Sequence, residues 1–178
     1  MTDAERKLPI FQRPKRWFPQ KDWARVKKVK VFGLTTSNGK KLCFPVLGPW
    51  NADAWADAVT HKVAPFLCRC FPTRRRFQIL LDGEGVLHAP APKHAMEAAG
   101  ISVLPNWPKY SPDLNPQENV WAWAEERLRE VEKPHDTFEQ FKERVVTSVE
   151  AYPHGGLIAG MAGRIKTLLA RGGANVGK

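Results

Sequence analysis

Apolar residues recur with two different periods along this chain, and the periods predict strands in some stretches and helices in others. Residues 29–36 and 41–47 are rich in β-branched and aromatic residues and flank Ser37-Asn38-Gly39-Lys40, in which Asn-Gly is the strongest short hairpin signal. Residues 77–81 and 101–104 are short, nearly all-apolar runs, which are typical of strands buried on both faces. An antiparallel hairpin and two buried strands are therefore predicted.

Helical spacing occupies the stretches between and after these strands. Asn51 is predicted to cap a helix with apolar residues every three or four positions, and Pro65 is predicted to kink its last turns. A short helix around residues 92–99 is predicted to stop at Gly100. The order of hairpin, helix, strand, helix, strand and further helices indicates an α/β fold with a mixed sheet.

Three more helices are predicted towards the carboxyl terminus. Asn115-Pro116-Gln117-Glu118 follows the pattern of a helix start, with Asn as the cap, Pro in the first position and Glu in the third. Thr137 and Gln140 form a predicted capping box for the next helix, and residues 157–170 predict a final short one. At 100° per residue, Glu118 lies on the border between the buried stripe of its helix and solvent.

Two carboxylates stand out in this pattern. Asp82 ends an apolar strand, and Glu118 lies at a helix start 36 positions later. Hard oxygen ligands delivered from rigid elements are what a divalent metal site requires. Each acid also has a simpler interpretation, since Asp82 could close a turn with Gly83 and Glu118 could fold back as a capping glutamate.

Composition indicates a globular domain and excludes several classes of protein. The chain has 178 residues, of which 43% are hydrophobic, and its three cysteines, Cys43, Cys68 and Cys70, fit neither a disulfide framework nor a zinc site. No apolar run approaches the ~18 to 20 residues of a membrane span. We therefore expect no membrane partner, no secretion, and a nuclear location in a eukaryote or a cytoplasmic one otherwise.

Positive charge is concentrated near the amino terminus. The formal net charge is +10, and residues 1–30 hold ten Lys or Arg against three acids, which gives +7 in that segment. Together with Arg74, Arg75 and Arg76, this block favours a polyanionic partner, most simply the phosphates of DNA, although a solvated basic surface is the alternative.

The run SPDLNPQENVW, within residues 110–121, resembles the signature of Tc1/mariner-type DDE transposases. The flanks agree with the same family: Gly100-Ile101, Trp107-Pro108 and, near the end, Met161, Arg164 and Arg171-Gly172-Gly173. The resemblance covers roughly residues 25–173 in order. The 35 residues between Asp82 and Glu118 also match the family's usual separation of its second and third acidic ligands.

The resemblance implies an RNase H-like fold, a mixed sheet flanked by helices, and two-metal phosphoryl transfer on DNA with Mg²⁺ or Mn²⁺. Asp82 would be the second metal ligand and Glu118 the third, in a reaction that cleaves DNA and joins the strand to a new site. Partners would be DNA and, as a second possibility, another copy of the chain or a full-length transposase. The resemblance and the basic residues together suggest these DNA contacts: Lys15, Arg16, Arg74, Arg75, Arg76, Lys109 and Arg164.

The sequence departs from the family's pattern in two places. After Asp82 the family usually has Asn, a small residue and, a few positions on, His, whereas this chain has Gly83-Glu84-Gly85, with His88 displaced by one position. The family's first Asp ends a central strand, and Asp3 is the acid nearest to that place, with two residues before it. We therefore expect residues 1–26 to be a basic, incomplete start of the domain and residues 27–178 to be the DDE domain, lacking its first central strand.

Three functional hypotheses remain open from the sequence. The first is a truncated transposase catalytic domain with impaired cleavage. The second is a non-catalytic module that binds nucleic acid or a partner through the basic surface, and the third is a nonfunctional gene fragment. Metal-dependent cleavage that requires Glu118 would distinguish the first from the others.

Overall fold

A computed structural model describes residues 29–105, 107, 114–130, 137–153 and 160–172 of the chain. Within them the fold is mixed α/β, as predicted, with two small sheets and packed helices. None of the described helices has the length and apolar composition of a membrane-spanning segment. The elements in chain order are β1 Val31–Thr35, β2 Lys41–Pro45, α1 Ala52–Ala58, a π-helical turn Val59–Val63, α2 Ala64–Cys70, β3 Phe77–Ile79, a 3₁₀ turn Gly85–His88, α3 Pro90–Ala98, β4 Ile101–Val103, α4 Pro116–Glu130, α5 Phe138–Glu150 and α6 Met161–Ala170.

The predicted hairpin is confirmed. β1 and β2 pair antiparallel, with Phe32 opposite Phe44 and Leu34 opposite Leu42. Gly39 adopts a φ of 79° in the turn, a conformation that a residue with a side chain adopts only with strain. The amide of Thr36 donates to the carbonyl of Lys40 at 2.9 Å and closes the turn. The Asn-Gly pair therefore forms the turn that the sequence predicts.

A second sheet consists of β3 and β4, which pair parallel with Phe77 beside Ile101 and Ile79 beside Val103. Helix α3 connects the two strands, as parallel pairing requires. In the described residues the hairpin and this pair form two separate two-stranded sheets, not one continuous mixed sheet. The RNase H-like strand order and the absence of a central strand stay predictions, because residues 1–28 lie outside the described part.

The start of helix α1 agrees with the prediction that Asn51 caps it. The side chain of Asn51 accepts a hydrogen bond from the amide of Ala54 at 2.9 Å, which caps α1. A π-helical turn lies just before Pro65, in which the amide of Ala64 donates to the carbonyl of Val59, while the predicted kink at Pro65 stays a prediction. Pro65 has no amide to donate, so the wider turn accommodates the missing hydrogen bond.

The main hydrophobic core joins both sheets to one helical layer, which we call the first layer: α1, the π-helical turn, α2 and α3. Trp55 is fully buried at its centre, and the ring of Phe32 lies 4.8 Å from it between centroids. Residues of the hairpin and of the β3–β4 pair share this one cluster. Its buried members are Phe44, Trp55, Ala58, Val59, Val63, Phe66, Leu67, Phe77, Ile79, Leu87, Met96 and Ile101.

A smaller cluster covers the opposite face of the hairpin. Helices α4 and α5, which we call the second layer, bury Cys43 of β2 together with Val120, Ala124 and Val149. The predicted capping box of α5 is present, since Thr137 and Gln140 exchange both hydrogen bonds. No residue of β3 or β4 belongs to this cluster, so within the described residues the second layer covers the hairpin alone.

This one-sided covering corrects the prediction that β3 and β4 are buried on both faces. Phe77, Ile79 and Ile101 are buried against the first layer, but Gln78 and Ser102 between them are exposed. A short strand with one buried face should alternate apolar and polar residues, and Phe77-Gln78-Ile79 and Ile101-Ser102-Val103 do so.

Candidate active-site cleft

A cleft of about 470 Å³ lies between the two sheets, with β1 along one side and β3 along the other. The start of α4 also lines it, through Gln117, Glu118 and Trp121. Buried residues of the first layer, including Trp55, Val63 and Leu67, form its floor. The cleft is therefore where both predicted acidic elements meet the hairpin.

Two side-chain contacts fix the direction of β1 relative to β3. Lys30, just before β1, forms a 3.1 Å ion pair with Glu84, which follows β3. At the other end of β1, the side-chain amide of Asn38 donates to the carbonyl of Cys70 at 3.2 Å, in the segment that precedes β3. The two strands therefore run in opposite directions across the cleft.

Asp82 lines the cleft beyond the carboxyl end of β3 and is exposed. One oxygen of its carboxylate accepts a hydrogen bond from the amide of Gly83 at 2.7 Å. Its main-chain carbonyl lies 2.8 Å from Nε2 of His88. These contacts describe a strand-end turn that His88 holds, and they involve only one of the two carboxylate oxygens.

Glu118 lines the same cleft from the first turn of α4 and is half-buried, as its predicted border position requires. The side chain of Asn115 accepts a hydrogen bond from the amide of Gln117 at 3.1 Å, so the predicted Asn cap is present. The amide of Glu118 donates to the carbonyl of Asn115 at 3.1 Å. The cap thus fixes the backbone that presents Glu118 to the cleft.

The segments that carry the two acids contact β1 at different residues. The hydroxyl of Thr35 donates to the side-chain oxygen of Gln117 at 2.9 Å, next to Glu118. Glu84, two residues after Asp82, pairs with Lys30. Gln117 also reaches the middle of β1, where a Cβ added at Gly33 would lie 2.9 Å from its Nε2.

The described residues do not complete a metal site by themselves. They include no group of three or more His, Cys, Asp or Glu side chains placed to hold one metal ion. Asp82 and Glu118 are hard-oxygen ligands of the type that Mg²⁺ and Mn²⁺ prefer, and they share one cleft. Asp3, the candidate for the family's first catalytic Asp, lies outside the described residues.

Basic residues border the end of the cleft that is remote from Asp82. Arg74, Arg75 and Arg76 are exposed in the loop before β3, and Arg74 and Arg76 line the cleft. The guanidinium of Arg75 donates to the carbonyls of Pro72 and Arg74, which orders this loop. Arg164 is half-buried on α6. The other predicted DNA contacts, Lys15, Arg16 and Lys109, lie outside the described residues.

Two polar atoms in the cleft were not predicted from the sequence. Nε2 of Gln117 and Nε1 of Trp55 are buried, and neither has a hydrogen-bond partner in the part of the chain that the structure describes. Both residues line the cleft. Such donors cost about 1–3 kcal/mol each when unpaired, so they are unusual in a finished core. No local sequence signal indicates an unpaired donor, because pairing depends on the whole fold.

Comparison with known proteins gives one match. A family model described as DDE superfamily endonuclease matches residues 9–142, which is more than half of the chain and includes both Asp82 and Glu118. A search of the curated proteins finds none that matches the chain at a significant level.

Proposed function

Because this chain belongs to the DDE superfamily endonucleases, we propose that it derives from the catalytic domain of a cut-and-paste DNA transposase of the Tc1/mariner type. The substrate class is DNA, and the reaction class is metal-dependent phosphodiester cleavage followed by strand transfer. The observation that carries this proposal is that Asp82 and Glu118, far apart in sequence, line one cleft.

The residues of the chain have separable roles in this proposal. Asp82, after β3, and Glu118, at the start of α4, supply carboxylates for a divalent metal, with a third acid from outside the described residues, for which Asp3 is our candidate. Bound Mg²⁺ or Mn²⁺ would neutralise charge on the phosphodiester oxygens. Arg74 and Arg76 at the other end of the cleft attract and orient the DNA backbone.

We propose further that cleavage by this chain is impaired. Asp82 and Glu118 are two acids only, and the segments that carry them contact β1 separately, through Glu84 with Lys30 and through Gln117 with Thr35. The described residues also hold no three-acid group. A two-metal site needs several acids within a few ångströms of each ion, so we expect weak metal binding by Asp82 and Glu118 without a third acid.

A nicking assay tests this proposal. Supercoiled plasmid is incubated with the full chain and Mg²⁺ or Mn²⁺, alongside Glu118→Ala and a matched control, Glu126→Ala, which removes an exposed acid from the same helix. We expect nicking by all three proteins at the level of buffer alone. Nicking that Glu118→Ala abolishes and Glu126→Ala retains would establish the active site and contradict the impairment.

A second candidate function is DNA binding without cleavage. The exposed Arg74–Arg76 loop favours it, because the guanidinium groups of Arg74 and Arg76 need no metal to bind phosphate. We expect binding to a short duplex that weakens with salt and is unchanged by EDTA. Arg74→Gln with Arg76→Gln should reduce the salt slope by about 2, one for each phosphate that is no longer neutralised.

The matched control for that pair is Arg127→Gln with Arg129→Gln on α4, where both guanidinium groups already pair with Glu130 and Glu125. This control should leave the salt slope unchanged. Equal losses in both double variants would mean that overall charge, and not the Arg74–Arg76 loop, attracts DNA.

A further inference from the structure

We propose that Arg74 and Arg76, in the loop before β3, bind the phosphates of DNA and that Arg75 is the residue that positions them. The site deepens the second candidate function, DNA binding without cleavage, and rests on it. Arg75, for which the sequence predicts a direct DNA contact, then acts on DNA only through its two neighbours. Three adjacent guanidinium groups that the sequence does not distinguish have different surroundings in the fold, and that difference carries the proposal.

The side chain of Arg75 is turned back on its own loop. Nη1 of Arg75 donates to the carbonyl of Pro72 at 2.9 Å and to the carbonyl of Arg74 at 3.3 Å. A nitrogen that bridges two carbonyls of one short segment fixes the path of the backbone between them. Arg75 is also absent from the lining of the cleft, to which both of its neighbours belong. Its guanidinium is therefore used to order the loop.

The side chains of Arg74 and Arg76 are placed differently. Both residues are exposed, and both line the cleft. Residues two apart in an extended backbone carry their side chains on the same side, with Cα atoms about 6.6 Å apart, which agrees with this alternation. Cζ of Arg74 lies 5.2 Å from the centroid of the Phe71 ring. Stacking on an aromatic face orients the guanidinium and leaves its in-plane N–H groups for a phosphate.

Backbone hydrogen bonds fix the loop at both of its ends. The amide of Arg74 donates to the carbonyl of Phe71, which follows α2, at 3.0 Å. At the other end, the amide of Phe77 donates to the carbonyl of Gly100, just before β4, at 2.9 Å. The loop is thus held between the first layer and the second sheet, and the Arg75 side chain orders the residues between these two points.

Gly100 gives the loop the space that it needs. It adopts a φ of 69°, and a Cβ added there would overlap the carbonyl oxygen of Arg75. A backbone oxygen cannot move aside as the end of a flexible side chain can, so a glycine is required where β4 begins this close to the loop. A side chain at position 100 would displace Arg75 from the position in which it bonds to Pro72 and Arg74.

The chemistry of the loop favours the phosphates of a DNA strand as its ligand. Two guanidinium groups on the same side of the backbone can each bind one phosphate, because their planar N–H donors match its oxygens. Residues 71–79 contain no acid, so no carboxylate within the segment offsets this charge. An ordered loop also loses less conformational freedom when DNA binds, which raises the affinity. Phosphate contacts identify no base, so we expect little sequence preference.

The salt dependence of DNA binding separates a phosphate contact from a positioning role. Binding of the full chain to a short labelled duplex is measured by fluorescence anisotropy over a series of KCl concentrations. Arg74→Gln removes one phosphate contact and should reduce the salt slope by about 1. Arg75→Gln should leave the salt slope unchanged and weaken binding about three- to tenfold at each concentration, because it removes order but no phosphate contact.

A matched control accounts for the lost charge. Lys93 is exposed on α3, outside the loop, so Lys93→Gln removes one positive charge and should leave both affinity and salt slope close to wild type. A loss in Lys93→Gln equal to that in Arg75→Gln would assign the effect to overall charge and would overturn the positioning role.

The order of the loop gives a readout that does not involve DNA. In the free full chain, the NMR order parameters of the backbone amides of residues 74–76 should be near 0.85 in wild type and should fall towards about 0.6 in Arg75→Gln. Gly100→Ala should lower them as well. Arg75 is an exposed residue, so Arg75→Gln keeps the test valid if Gly100→Ala fails to fold.

Failure of the positioning role and failure of DNA binding give different results. A salt slope reduced by about 1 in Arg75→Gln would make Arg75 a phosphate contact and would overturn its positioning role alone. Wild-type affinity or unchanged loop order in that variant would do the same. A wild-type chain that does not bind the duplex, or a salt slope that Arg74→Gln with Arg76→Gln leaves unchanged, would overturn the DNA site and the positioning role together.

Discussion

The two helical layers cover different amounts of sheet. The first layer packs on the hairpin and on the β3–β4 pair, through one cluster centred on Trp55. The second layer packs on the hairpin alone, through Cys43, Val120, Ala124 and Val149. The same hairpin thus separates a large core that joins the sheets from a small one that does not.

This difference explains how two unpaired sheets hold together. β1 and β3 are not bonded to each other in the described residues, so the apolar contacts of the first layer, together with the Lys30–Glu84 and Asn38–Cys70 contacts, keep them in place. The half-exposed ion pair contributes at most about 1 kcal/mol, so burial in the first layer dominates. The cleft persists because one layer spans it and the other does not.

The largest expected effect is the truncation of the tryptophan at the centre of the first layer. Trp55→Ala should lower the free energy of unfolding by about 3–5 kcal/mol, because it leaves a cavity where both sheets meet. Urea unfolding followed by circular dichroism measures it. Trp123→Ala is the matched control, since Trp123 is half-buried beside Tyr152 in the second layer and should cost clearly less. Equal losses would contradict the unequal roles of the layers.

A smaller effect is expected where the second layer touches β1. A Cβ added at Gly33 would lie 2.7 Å from Cζ2 of Trp121 and 2.9 Å from Nε2 of Gln117. Gly33→Ala should therefore destabilise the protein by about 1–3 kcal/mol through overpacking, measured by urea unfolding. Gly83→Ala, where the added Cβ meets nothing within 4 Å, should stay within about 0.5 kcal/mol of wild type.

A second substitution locates the cause of that loss. Adding Trp121→Leu to Gly33→Ala should recover part of the stability, because the smaller side chain makes room for the new methyl group. If the losses of the two single variants simply add, Trp121 does not contact β1 as closely as the structure places it.

The smallest effect concerns pH and the second layer. Burial, with a smaller contribution from the charge of Glu150, raises the pKa of the Cys43 thiol to about 12. The unfolded chain loses this proton near the ordinary value of 9.0 and the folded chain does not, so stability falls as pH rises from about 9 towards 12. Unfolding in urea at pH 8 and pH 10.5 should show this fall in wild type and less of it in Cys43→Ala. The same slope in both proteins would exclude Cys43 as its cause.

Local features of this fold were predictable from sequence, and features set by pairing at a distance were not. The hairpin turn, the Asn51 and Asn115 caps and the Thr137–Gln140 capping box each depend on a few neighbouring residues, and each is present. The position of Glu118 at the border of its helix also followed from helical geometry. The resemblance to a family of DDE transposases agrees with the endonuclease family to which the chain belongs, while the Tc1/mariner subtype stays a proposal.

The separation of the sheets and the one-sided burial of β3 and β4 depend on where the second layer ends. That position cannot be deduced from any single segment of the sequence. The sequence of a short apolar strand is similar whether one or both of its faces are covered. The polar residue between the buried residues is what distinguishes the two cases. Gln78 and Ser102 carried that signal. The roles of Asp82 and Glu118 as metal ligands, and of the basic residues in binding DNA, stay predictions.

The π-helical turn at Val59–Val63 keeps two helices in phase around a proline. An uninterrupted α-helix advances 100° per residue, so the buried side of a helix that runs from Trp55 to Leu67 would drift gradually around its axis. The wider turn winds less per residue, so Val63 lies closer in angle to Trp55 and Val59 than it would in a regular α-helix, and all three are buried in the same core. The turn thus narrows the buried stripe that runs from α1 into α2, which a proline alone would not do.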